Sequence, residues 1–231
     1  MFEVLLQRDE TLSSRTKWSV EEIIALSRMV LTSSYFRFDL DLFSQKDGVS
    51  MGSSLGPVAA NIFMTHFEES ALESARANGI PSPRLWLRFV DDVLLLWPHS
   101  EGDMDCLVSH LNSFRPSIRF TKEVEVNSRL SFLDVAIHRG EAQFSFSVFR
   151  KSTHTDRYLH RDSSHPRGVF KGLVSSLSNR ASLICSAENL EEEKSHVLEA
   201  LADNGYGEVE SERWWRCGNS GNGGSDISEP T

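Results

Sequence analysis

Two adjacent carboxylates, Asp91 and Asp92, interrupt the apolar stretch "LRFVDDVLLLW". Taking an unpaired carboxylate out of water costs several kcal/mol. Acids in such a strand therefore need a compensating cation, a shared proton, or a turn that returns them to solvent. Arg88 is a candidate counter-charge close by in the same stretch. A divalent cation is another. Mg²⁺ takes a few carboxylates together with waters and substrate phosphates, and two such ions stabilise both oxygens of an in-line phosphoryl displacement. A tight turn between two short buried strands would present both acids to a phosphate.

The flanking segments must position that hairpin. In "KWSVEEIIALSRMVL" the spacing predicts a helix with Ser19 as cap, Glu22 closing a capping box, and an apolar stripe of Val20, Ile23, Ile24 and Val30. "SSYFRFDLDLFSQ" alternates as a short strand or hairpin. "DGVSMGSSLGPVAANIFMTHFEESAL" is a loop of small residues leading into a helix near Pro57. A second amphipathic helix follows through Met104, Leu107, Val108 and Leu111, and "SIRFTKEVEV" alternates as a strand. "LSFLDVAIHRGEAQFSFSVFRK" reads as a hairpin turning near Gly140. Two helices come after Pro166, the second stopped by "DNGY". Helices and strands in this order indicate an α+β fold rather than an alternating α/β one.

With the elements in place, the motifs resemble those of reverse transcriptases. "FVDD", Phe89 to Asp92, is similar to their aromatic-x-Asp-Asp motif, with Phe where Tyr is more usual. The preceding segment is similar to Q-x-x-G-x-x-M-G-x-x-x-x-P through Gln45, Gly48, Met51, Gly52 and Pro57. "IRFTKEVEVNSRLSFLDVAIHR", "FRKSTHTDRYLHRDSSHP", "NRASLICS" and "DNGY" resemble segments that follow the catalytic hairpin in Penelope-like retroelements. The likeness runs through most of the chain, from Trp18 to Tyr206. It implies a partial polymerase palm, an antiparallel sheet with helices on one face, over residues 1–151. A thumb-like helical region, also classifiable as helix-turn-helix, follows over 152–206.

The same resemblance implies roles. Asp91 and Asp92 would be catalytic and hold Mg²⁺ or Mn²⁺. Gln45, Gly48, Met51 and Gly52 would line the nucleotide and template pocket, and Arg150 and Lys151 would contact primer phosphates. The partners would be an RNA template, a DNA primer and deoxynucleotide triphosphates, and the activity RNA-directed DNA polymerisation of a transposable element. The family places a further catalytic aspartate on a strand upstream of the Gln-to-Gly segment, and nothing here matches it. Asp39 and Asp41 in "FRFDLDLF" imitate that motif but lie only a few residues before Gln45. The expectation is therefore a fragment inactive by itself, with a non-catalytic nucleic-acid-binding remnant as the alternative.

Charge distribution bears on that alternative. The net charge of −9 argues against nucleic acid, but the eleven acids from residue 187 onward hide a basic middle. Residues 139–171 carry seven Lys/Arg against three acids, the balance expected of a phosphate-binding segment. No run approaches the ~20 apolar residues that cross a bilayer, and the N-terminus lacks a signal-peptide pattern. Cys106, Cys185 and Cys217 show no metal spacing and read as reduced thiols. An intracellular protein is expected, nuclear if functional. Residues 207–231 read as a disordered tail rich in Gly, Ser and acids despite Trp214 and Trp215.

Overall fold

Eight helices and seven short strands among the described residues make a mixed α+β structure, described for residues 1–50 and 52–219 by a computed structural model. It comprises two units, Met1–Lys122 and Glu123–Thr231.

The first unit opens with the short helices α1 (Phe2–Gln7) and α2 (Leu12–Arg15), then α3 (Val20–Thr32). The α3 capping box forms as expected: the Ser19 hydroxyl accepts from the Glu22 amide, and the Ser19 amide donates to the Glu22 carboxylate. None of the α3 side chains is buried, the apolar stripe included. β1 (Tyr35–Phe38) and β2 (Asp41–Ser44) form an isolated hairpin with every residue exposed. α4 (Gly56–Ala77) starts with Pro57 in its first turn and buries Phe67, Ala71 and Ala75 at a spacing of four.

β3 (Leu85–Phe89) and β4 (Asp92–Leu96) pair antiparallel as a second two-stranded sheet. α5 (Glu101–Phe114) begins with a second capping box, Ser100 and Asp103, and turns Leu107 and Leu111 onto α4. Trp86, Trp97, Ile118 and Phe120 complete that core.

The strand expected in "SIRFTKEVEV" does not form; a single bridge pairs Val126 with Arg129 there. The Asn112 side chain substitutes for a strand neighbour. Its amide nitrogen donates to the Phe120 carbonyl at 3.0 Å, and its oxygen accepts from the Phe120 amide at 2.6 Å. This clamp seats the Phe120 ring parallel to Phe67, with centroids 5.8 Å apart.

The second unit opens with β5 (Arg129–Phe132), β6 (Val135–Arg139) and β7 (Phe144–Val148), paired in that order. The expected hairpin near Gly140 is thus one half of a three-stranded meander. The other half turns tightly at Leu133 and Asp134, with Leu133 at φ 54°. Three helices follow: α6 (Arg167–Ile184), α7 (Ala187–Asp203) and α8 (Glu208–Asn219).

The unit boundary falls before this sheet, not at residue 151, because β7 is fastened to the helices. The Ser186 hydroxyl accepts from the Phe146 amide at 2.9 Å. The Phe146 carbonyl accepts from the Ser186 amide at 2.9 Å and from the Asn189 side chain at 2.8 Å.

The disorder expected from residue 207 is corrected over α8, where Ser211, Trp214 and Trp215 are buried. Phe170, Val174, Leu177, Val197 and Leu201 form the core that receives them. A Cβ on Gly218 would lie 2.8 Å from the Ser178 Cβ, so only glycine permits this approach of α8 to α6. Residues 220–231 lie outside the described residues. The α+β class stands, but the described residues form three small antiparallel sheets rather than one.

Candidate nucleic-acid interface

The "FVDD" motif does build a tight hairpin. Phe89 pairs with Asp92, leaving Val90 and Asp91 as a two-residue turn. Val90 sits at φ 55°, a left-handed conformation that a β-branched side chain resists at a cost of about 1–3 kcal/mol. The register puts Asp92 on the same face as Phe89, Leu87 and Leu85, an apolar face left exposed.

Asp91 and Asp92 are themselves exposed, which corrects the expectation of acids on buried strands. Nor does Arg88 neutralise them. It lies on the opposite face, donating to Glu68 at 2.8 Å, to the Asn61 side chain at 2.9 Å and to Thr65 at 3.2 Å. Solvent, not a buried counter-charge, accommodates the two acids.

Among the described residues no group of three or more His, Cys, Asp or Glu is placed to hold a metal ion. Asp39, at φ 56° in the β1–β2 turn, and Asp41 belong to a separate sheet.

The small-residue loop is held locally. The Gln45 side chain donates to the Asp47 carbonyl at 2.9 Å, and Gly48 occupies φ 78° directly beside it. Gly48 thus answers to a turn, whereas Gly52 faces open space. Met51 lies outside the described residues.

Arg150, expected to contact phosphate, is instead an internal structural cation. Its side chain is 17% exposed and Glu193 7%, and the two form a bidentate pair at 2.7 and 2.6 Å. Asp156, at φ 51°, accepts from His154 and from His196 at 3.0 Å each. Burial works against ionising Asp156, but the His196 bond and both imidazoles outweigh it and hold its carboxyl below the usual range. Lys151 remains exposed to solvent. Lys122 is folded onto α5 between Glu101 and Asp105.

A different set of cations gathers where α6 and α8 begin. The Glu210 carboxylate on α8 accepts from Arg161 at 3.0 Å and from Arg167 at 3.4 Å. The bond from Arg161 holds Glu210 below the ordinary carboxylate range, with Arg167 and Arg213 adding to the effect. Arg161 also lies over the Phe170 ring at 4.8 Å, which ties its loop to the core. Arg167 stands 5.9 Å over Trp214 and is 68% exposed, so its guanidinium is oriented yet open to solvent. Lys171, one helical turn further along α6, is exposed as well.

Residues 204–207 form a four-residue turn between α7 and α8, with Gly205 at φ 84°. Asn204 fixes this turn against the incoming loop, accepting from the Tyr158 amide and donating to the Asp156 carbonyl. Two helices joined by a short glycine-containing turn and packed on a third helix make a helix-turn-helix arrangement.

The animal helix-turn-helix domain matches residues 157–216, a quarter of the chain that takes in α6, α7 and most of α8. Comparison with curated proteins and with solved structures returns no match. No described helix is long and apolar enough to cross a membrane. The sequence expectations overlooked α8 and the arginines around Glu210. The available signal was the helical spacing of Ser211, Trp214, Trp215 and Gly218, all on one face.

Proposed function

We propose that the chain is a nucleic-acid-binding protein of reverse-transcriptase lineage whose C-terminal unit docks on DNA. The observation that carries this reading is the cluster around Glu210. Three arginines surround a single carboxylate beside the start of α8, within the segment similar to the animal helix-turn-helix domain. Exposed cations next to such a turn suit phosphate contacts, which position a protein on a duplex without reading its sequence. Arg167 and Lys171 are those contacts. A nuclear place of action accompanies the reading.

The test is binding of the full chain to a mixed-sequence duplex as salt is raised. Arg167→Glu combined with Lys171→Glu is expected to weaken binding about tenfold or more and to lower the salt slope by about 2, since each lost phosphate contact removes about 0.9. Unchanged affinity and slope would exclude these cations from the interface.

RNA-directed DNA synthesis is the second reading. It is favoured by the two-residue hairpin that presents Asp91 and Asp92 with no described cation against them. Template, primer and nucleotides would be its partners, and Mg²⁺ or Mn²⁺ would need ligands beyond these two acids. The expected result is that this chain does not extend a primer on an RNA template. Extension that disappears on Asp91→Ala would shift the assignment to the enzyme.

A further inference from the structure

The β1–β2 hairpin carries a large exposed aromatic surface, and among the described residues its strands pair only with each other. Tyr35 is 66% exposed, Phe36 52%, Phe38 72% and Phe43 42%. At about 150–250 Å² for a whole aromatic side chain, these four leave on the order of 450 Å² in water. A typical monomer keeps its largest apolar patch to about 300–600 Å², and such a patch commonly marks an interaction site. Leu40 and Leu42 enlarge this one. A two-stranded hairpin is also marginal by itself and gains stability from further strands.

The register decides which edge is open to them. The Ser34 carbonyl accepts from the Gln45 amide at 2.9 Å. Bonded pairs alternate along an antiparallel ladder, so Phe36–Phe43 and Phe38–Asp41 are bonded pairs as well. The N–H and C=O groups of Tyr35 and Arg37 therefore point to the free edge of β1. Their side chains share one face of the hairpin, while Phe36 stacks on Phe43 on the other, centroids 5.5 Å apart. Arg37 donates from Nε to the Asp39 carbonyl at 3.1 Å, which leaves its terminal nitrogens for a further contact.

We infer that β1 pairs antiparallel with β1 of a second copy of this chain, with Phe36 on the two-fold axis. In that register Tyr35 lies opposite Arg37 of the second copy, and the same pair repeats across the axis. Both pairs exchange backbone hydrogen bonds through groups that are otherwise unpaired, and each guanidinium meets a tyrosine ring. Centring on Arg37 instead would set two arginines face to face, which is unfavourable. The outer edge of β2 offers Leu42 and Ser44, which have no such complementarity. A patch that matches itself is what a two-fold contact requires, so the occupant is a second copy. The product is a four-stranded sheet with Phe36 and Phe43 of both copies on one face. The exposed area lies below the roughly 600 Å² per partner at the lower end of stable interfaces, so the dimer is a reversible one. This pairing is independent of the DNA-docking reading.

Sedimentation velocity of the full chain without DNA, over a range of concentrations, is the test. The wild-type chain is expected to pass from monomer to dimer as concentration rises. Tyr35→Lys opposes like charges at both symmetric positions and should weaken the dimer about tenfold. Adding Arg37→Asp to Tyr35→Lys sets opposite charges there and should restore the wild-type affinity. Both side chains are exposed, so the fold does not depend on either. A wild-type chain that stays monomeric would overturn the pairing. So would self-association that Tyr35→Lys leaves unchanged, or that the added Arg37→Asp does not restore.

Discussion

Glu193→Ala is expected to destabilise the C-terminal unit by about 3–5 kcal/mol, because it strands the Arg150 guanidinium in a site that is largely closed to water. The pair spans the unit: Arg150 follows β7, while Glu193 lies on the inward face of α7. Burial disfavours the charged arginine, and the two bonds to Glu193 more than restore it. Asp156, 3.7 Å away, cannot replace Glu193, because its carboxylate oxygen already accepts from His154 and His196. Hydrogen exchange of α6 and α7 amides in the full chain reads this loss directly. Exchange at the wild-type rate would show that the ion pair contributes nothing. Arg150→Met should cost less than Glu193→Ala, since it removes the buried charge and keeps much of the side chain's volume.

Trp214→Ala is expected to cost a further about 3–5 kcal/mol, the usual penalty for emptying a buried indole site. Trp214 is 3% exposed and meets Tyr206 edge-on at 6.5 Å. Tyr206 in turn meets Phe170 edge-on at 6.1 Å and donates its hydroxyl to the Leu159 carbonyl at 2.8 Å. Losing the indole therefore loosens α8, α6 and the loop before α6 together. It also removes the surface over which Arg167 is held, so DNA affinity should fall along with stability. Thermal unfolding of the full chain, followed by near-ultraviolet circular dichroism, measures the first effect. A transition unchanged by the substitution would mean that α8 does not belong to the core.

The history of that helix shows where sequence reading stops. Ser19, Pro57 and Pro166 announce helix starts through local chemistry, and all three helices begin where those residues place them. The turns near residue 91 and at Gly140 were equally legible, since a tight hairpin follows from alternation and turn residues alone. α8 was not, because its acids and arginines lower the apparent hydrophobicity while its burial depends on two tryptophans meeting a distant core. Asn112 is similar: its clamp on Phe120 suppresses a strand that alternation favoured, and no local pattern reveals such a clamp.

The candidate site divides the same way. The resemblance marked Arg150 as a phosphate ligand, yet Glu193 lies 43 residues away in sequence and only folding brings them together. The basic character of the segment before residue 171 was readable, and Arg167 and Lys171 within it stay exposed. Which arginines are committed to carboxylates is a tertiary fact. For Asp91 and Asp92, the apolar run around them suggested burial, but among the described residues β3 and β4 pair only with each other, and one face remains in water.

Equilibrium binding of the full-length chain to a short duplex, followed as the salt concentration rises, tests the central claim most directly. A cationic face at α6 and α8 predicts that log K falls linearly with log salt, and that the fall is shallower when Arg167 and Lys171 are reversed. Absent binding, or binding indifferent to salt, would contradict it.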